Sequence, residues 1–170
     1  MNLESDPDSE SASDPVVLVA DQQSYVAVDT DRWAALAADV LVSEGVRGPG
    51  EMSLMFVDTA AIAQLKGRYL DGGAEPTDVL SFPIDGGDGP AGPLRLIGDV
   101  VICPEVAAAN AGANVGTRVG HDGSLEHEMA LLVVHGVLHL LGMDHAEPNE
   151  AAAMKSREQR HLSLFWELSL

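Results

Sequence analysis

At 170 residues, 46% of them hydrophobic, the chain is long enough to fold around one core and too short for two comfortable domains. Its net charge of -18 repels polyanions at long range, which argues against loose, non-specific nucleic-acid binding. Its one cysteine, Cys103, excludes an intrachain disulfide, and its place in the apolar run 100–103 predicts a small buried thiol.

Five of the 27 acidic residues lie in the first fourteen positions with no base among them. Residues 1–14 are therefore expected to be a disordered acidic tail, and residues 15–170 a single domain. That tail is the opposite of a secretory leader, and no apolar run reaches membrane-spanning length. A cytoplasmic protein with no membrane partner is expected.

The apolar run 16–20 predicts a first strand. Trp33, Leu36, Ala37, Val40 and Leu41 recur at helical spacing, with Thr30 or Asp31 as cap and Gly45 as stop. Residues 52–57 predict a second strand, and Thr59 the cap of a short helix carrying Ile62 and Leu65. A loop at 69–77 leads to a third strand at 79–82, which Pro83 ends. Six glycines and prolines between Ile84 and Leu94 predict a surface loop. A fourth strand follows at 95–103, then a helix opened by Pro104, a loop at 112–123 and a long helix from near Ser124. A last amphipathic helix is expected over about 148–166. The order β-α-β-α-β-β-α-α-α predicts an α+β fold, with a small mixed sheet of about four strands covered by about five helices. Strand order does not follow from the sequence.

The chemistry concentrates in His135-Gly136-Val137-Leu138-His139-Leu140-Leu141-Gly142-Met143-Asp144-His145. Residues four apart share a helix face with Cβ atoms about 5–6 Å apart, so His135 and His139 can converge on one ion. Gly142 can end the helix in a left-handed conformation, letting the chain return His145 to the same point. Three imidazoles leave a fourth position for water, the pattern of a catalytic zinc site. Their spacing matches that of metzincin proteases, but those carry a glutamate base where this chain has Gly136.

The motif HGVLHLLGMDH resembles the signature of the YbeY family of bacterial rRNA-maturation endoribonucleases. PTDVLSFP at 76–83, the strand Leu96-Ile97-Gly98-Asp99-Val100-Val101-Ile102 and Glu128, seven residues before His135, are similar to further elements of that family. Together they cover about residues 50–150. The resemblance implies a zinc-dependent endoribonuclease specific for single strands, holding one Zn2+ and acting on 16S rRNA 3′ ends and in ribosome quality control. Its implied partners are single-stranded rRNA and the ribosome or small-subunit proteins. Many members place an arginine after the tyrosine of the loop before PTDVLSFP. Here Tyr69 is followed by Leu70 in a loop one residue longer, and Arg68, on the other side of Tyr69, could substitute as the phosphate contact.

A metal held this way brings water toward a pKa of about 7 and so supplies hydroxide for attack on a phosphodiester. Attack by the ribose 2′-OH is an equal alternative. Asp144 and Glu128 are the candidate catalytic carboxylates. Asp144 adjoins His145, and capping of the turn is its other reading. Glu128 lies roughly 10 Å along the helix from His135 and would orient a loop or bind substrate. Asp78 and Asp99 are expected to be structural hydrogen-bonders. His121, His127 and His161 lack ligand spacing and are expected at exposed positions. Lys155, Arg157 and Arg160 form a basic cluster on the last helix, read as a solvated face or an RNA or ribosome contact. Two other functions use the same histidines: a metallopeptidase, and a non-catalytic ribosome-assembly factor braced by zinc.

Overall fold

A computed structural model describes residues 13–84 and 94–169. The expected acidic tail falls almost wholly outside the described residues, as does all but the two ends of the loop expected from Ile84 to Leu94. Within them run β1 (Val16–Asp21), α1 (Thr30–Ser43), β2 (Gly50–Phe56), α2 (Thr59–Tyr69), β3 (Val79–Pro83) and β4 (Arg95–Ile102). There follow α3 (Pro104–Ala111), a 3-10 turn at Gly112–Asn114, α4 (Leu125–Leu140) and α5 (Pro148–Leu168). The element order is the expected one, and both helix caps are displaced by one residue. Asp29, rather than Thr30 or Asp31, accepts from the Arg32 amide. Asp58, rather than Thr59, accepts from Ala61. In each Asp-Thr pair the carboxylate takes the cap and the threonine opens the helix.

The four strands lie in the order β1-β2-β4-β3. β1, β2 and β4 are parallel, and β3 joins antiparallel as the outer strand beside β4. Alternation along β2 turns Met52, Leu54 and Phe56 to one face, where α1, α4 and α5 build the main core. Met55 and Val101 turn to the other face, where Ile62 and Leu65 of α2 cover Leu80 and Cys103. Cys103 is buried as expected, and burial pushes its thiol pKa up.

Two local features set where the site sits. The register between β2 and β4 slips at Glu51/Met52, giving β4 an extra residue and placing Gly98 at φ +144°. A Cβ there would stand 2.5 Å from the Phe82 carbonyl oxygen and 2.9 Å from Leu140 Cδ2, so only glycine lets β3 and the end of α4 close over β4. α4 itself is the spine of the molecule, with 11 of its 16 residues buried against α1, α3, α5 and the sheet.

Two histidines expected at exposed positions are buried instead. His161 pairs with Glu44, the C-cap of α1, at 2.6 Å, and His121 with Glu128 at 2.9 Å. His121 Nδ1 accepts from the Gly123 amide, which leaves Nε2 to carry the proton toward Glu128. These partners are tertiary, so no ligand spacing marks them. His127 is half-buried and stacks on Trp166 with centroids 4.1 Å apart.

Candidate metal centre

His135 and His139 project from the last two turns of α4, one helical turn apart, with ring centroids separated by 4.5 Å. The helix then stops in a Schellman motif. The Met143 amide bonds the Leu138 carbonyl at 3.0 Å, the Gly142 amide bonds that of His139 at 3.0 Å, and Gly142 takes φ +94°. That turn reverses the chain and sets the His145 ring 5.4 Å from His135 and 5.1 Å from His139. One nitrogen from each of the three rings lies within 4.8 Å of the others.

The donor set suits a divalent ion of borderline softness such as zinc, since imidazole is its common ligand and three protein ligands leave a position open. The environment favours a neutral, ligating His139. Burial, and then the neighbouring His135 and His145, hold the His139 pKa below its ordinary value. His135 Nδ1 lies 2.5 Å from Glu158 Oε1, on α5. Glu158 is fully buried, and its other oxygen accepts from Arg118 Nε at 2.7 Å and forms an ion pair with Nη2 at 2.5 Å. Burial pushes the Glu158 pKa up, but hydrogen bonds from His135 and Arg118 outweigh it and leave the pKa below the usual glutamate value. An ionised Glu158 has only acceptors, so Nδ1 carries the proton and His135 Nε2 keeps its lone pair for a metal.

The three rings stand in an open cleft of about 600 Å³. Leu70, Asp78 and residues 79–81 and 83 of the outer strand form its other wall. Asp144 also lines the cleft and is exposed, and its Oδ1 accepts from the His145 amide at 2.7 Å. Thus the exposed carboxylate caps the turn. Glu128 does not line the cleft. Its side chain is 1% exposed and accepts from Asn114 Nδ2 at 2.8 Å as well as facing His121. Asp78, at the rim, accepts from Asn110, while Asp99 is half-buried in β4 opposite Phe82. No lysine or arginine lines the cleft among the described residues. Lys66 and Arg68, in the last turn of α2, precede Leu70 at its edge. Lys155, Arg157 and Arg160 are exposed on α5, with Arg157 3.4 Å from Glu44.

Gly136 has a structural role of its own. A Cβ there would meet Val100 Cγ1 at 2.6 Å and Ser81 Oγ at 3.4 Å, so residue 136 faces the sheet with no room for a side chain. The Ser81 hydroxyl donates to the Gly136 carbonyl, tying β3 to α4 at the floor of the cleft. A glutamate base at this position, as a metzincin-type peptidase requires, has no space.

Sequence reasoning missed Glu158 and Arg118. A signal for the first was present: Met154, Glu158, His161 and Leu162 fall at helical spacing on the buried face of α5, with a carboxylate in the stripe. Nothing in the sequence names Arg118 as its partner.

Comparison with known proteins converges on one family. The family model of endoribonuclease YbeY matches residues 18–165. A Beutenbergia cavernae protein named endoribonuclease YbeY is 45% identical over 148 residues, covering 84% of this chain and 93% of its own. The Salinispora tropica protein of that name is 43% identical, with 83% and 90% covered, and that of Mycobacterium tuberculosis 43%, with 82% and 78%. A Thermotoga maritima protein solved in solution superposes with a TM-score of 0.59 over 89% of each chain at 21% identity, a likeness of fold.

Proposed function

Because the chain belongs to the YbeY endoribonuclease family, we propose that it hydrolyses phosphodiester bonds of single-stranded RNA at the His135–His139–His145 cleft. The observation that carries this is the cleft itself: three imidazoles facing open solvent, beside a helix position where no peptidase base has space. We assign the site one zinc ion, and the substrate as the 3′ end of 16S rRNA, in maturation and ribosome quality control. Bound there, the ion supplies Lewis-acid chemistry, polarising water and offsetting charge on a phosphoryl oxygen.

The chain's own residues account for the rest. His135, His139 and His145 hold the ion. Asp144 lines the cleft beside His145, and its proposed role is to accept a proton from the attacking hydroxyl, whether of water or of a ribose 2′-OH. Arg68, with Lys66, is the candidate phosphate contact at the Leu70 edge. Glu128 acts from a distance, holding the 112–123 loop on α4 through Asn114 and His121. With a net charge of -18, affinity for RNA has to arise from the cleft and a ribosomal context rather than from long-range attraction. No helix among the described residues is long and apolar enough to cross a membrane, and a cytoplasmic location suits the proposed substrate.

The test pairs zinc-loaded protein with His139→Ala on single-stranded RNA carrying a 16S 3′ precursor end, and on casein. RNA cleavage by the wild type alone supports the reading. Casein cleavage alone would establish a peptidase, and inactivity on both with a melting loss in the variant would leave a braced assembly factor.

A further inference from the structure

We propose that Glu158, clamped by Arg118, is the positioning residue of the metal site, holding the His135 ring so that Nε2 faces the cleft. This rests on the metal-site reading above and adds to it residues outside the three-histidine motif.

The geometry is one-directional. Glu158 Oε1 stands 2.5 Å from His135 Nδ1, and Glu158 is fully buried and does not line the cleft. Its Oε2 takes a hydrogen bond from Arg118 Nε and an ion pair with Nη2 of the same guanidinium, which together hold the carboxylate in place. The carboxylate only accepts, so the ring nitrogen facing it must carry hydrogen and the opposite nitrogen must present its lone pair. A carboxylate in this place is not explained by packing. Glu158 sits between Met154 and Leu162 in the buried stripe of α5, where an apolar residue would dock the helix without desolvating a charge. The clamp is itself anchored. Arg118 belongs to the loop that Asn114 and His121 fasten to Glu128 of α4, and the Val119 amide donates to Gln159 Oε1 on α5 at 2.7 Å. The segment 114–121 thus straps α4 to α5 behind the metal site, and Arg118 is where the strap meets a ligand.

The experiment compares wild type, Glu158→Gln and Arg118→Lys. Zinc affinity is read by chelator competition, and the His135 tautomer of the metal-free protein by long-range 15N–1H NMR of 15N-histidine-labelled samples. Wild type should hold His135 in the Nδ1–H form. Glu158→Gln, whose amide can also donate to Nδ1, should populate the Nε2–H form and weaken zinc binding about 10–100-fold. Arg118→Lys keeps the charge but loses the Nε donor and the planar guanidinium, and should weaken binding by less, in a protein that folds even if Glu158→Gln does not. Wild-type affinity and an unchanged tautomer in the folded variants, with only a lower melting temperature, would overturn the proposal. Failure of the wild type itself to bind zinc in the chelator competition would overturn it together with the metal reading, whereas wild-type binding that both variants retain overturns the proposal alone.

Discussion

Gly136→Ala is a one-methyl change whose sign separates two accounts of α4. Local propensity alone predicts stabilisation by about 1 kcal/mol, because alanine is the better helix former. The tertiary structure predicts the reverse. The new methyl would lie 2.6 Å from Val100 Cγ1 and 3.1 Å from Cγ2, where ordinary contact needs more than 3.4 Å. Val100 is fully buried, β-branched and held in β4 between β2 and β3, so it has little rotamer freedom and no room to retreat. α4 must therefore lift from the sheet, an overpacking cost of about 1–3 kcal/mol at the upper end of its range. Set against the propensity gain, the net loss is about 2 kcal/mol, or about 4–8 °C in melting temperature for a chain of this length. Urea melts of the metal-free protein measure it, and Val100→Ala in the same background should couple favourably by about 1–3 kcal/mol. Since the lift carries His135 and His139 with it, RNA cleavage should fall by about 10²-fold, the usual cost of a 1 Å misplacement. A stabilised Gly136→Ala, additive with Val100→Ala, would refute the close helix–sheet contact.

Gly98→Ala, at φ +144° and with its methyl against the Phe82 carbonyl, should cost about 2–5 kcal/mol in urea melts, more than Gly136→Ala. Glu128→Leu leaves His121 and Asn114 facing an apolar side chain and should lose about 3–5 kcal/mol, yet keep wild-type zinc affinity in the folded protein; a selective loss of zinc would place Glu128 in the metal site. Removing zinc with a chelator should abolish RNA cleavage reversibly, and zinc at 100 times its dissociation constant should stabilise the fold by about 2.7 kcal/mol, an increment absent from His139→Ala. Burial raises the Cys103 pKa, so near pH 8 the native thiol stays protonated and Ellman's reagent should label it only on denaturation; rapid native labelling would contradict its burial.

The three-histidine cluster was legible in the sequence because its geometry is local: two positions four apart, a glycine at the left-handed turn, and a third histidine just beyond. The element order was legible for the same reason, through periodicity and the punctuation at Pro83, Pro104 and Gly45. What escaped depends on strand order and on pairs distant along the chain. His161 meets Glu44 across 117 positions, and Arg118 meets Glu158 across 40, so neither pair leaves a spacing to find. The role of Gly136 was half visible. Its missing carboxylate could be read directly, but the reason that no side chain belongs there is Val100, which only the packing of α4 on β4 brings opposite.

The placement of the three histidines on α4 and on the turn after it has a consequence for how the cleft can breathe. Amides in the middle of α4, wedged among five other elements, should exchange with solvent only when the whole molecule unfolds. Residues 144–147 are exposed and carry no such packing, so their amides should exchange by local opening. The cleft is then an anvil with one adjustable jaw: His135 and His139 are fixed, and accommodation of different RNA backbones falls to the segment that carries Asp144 and His145.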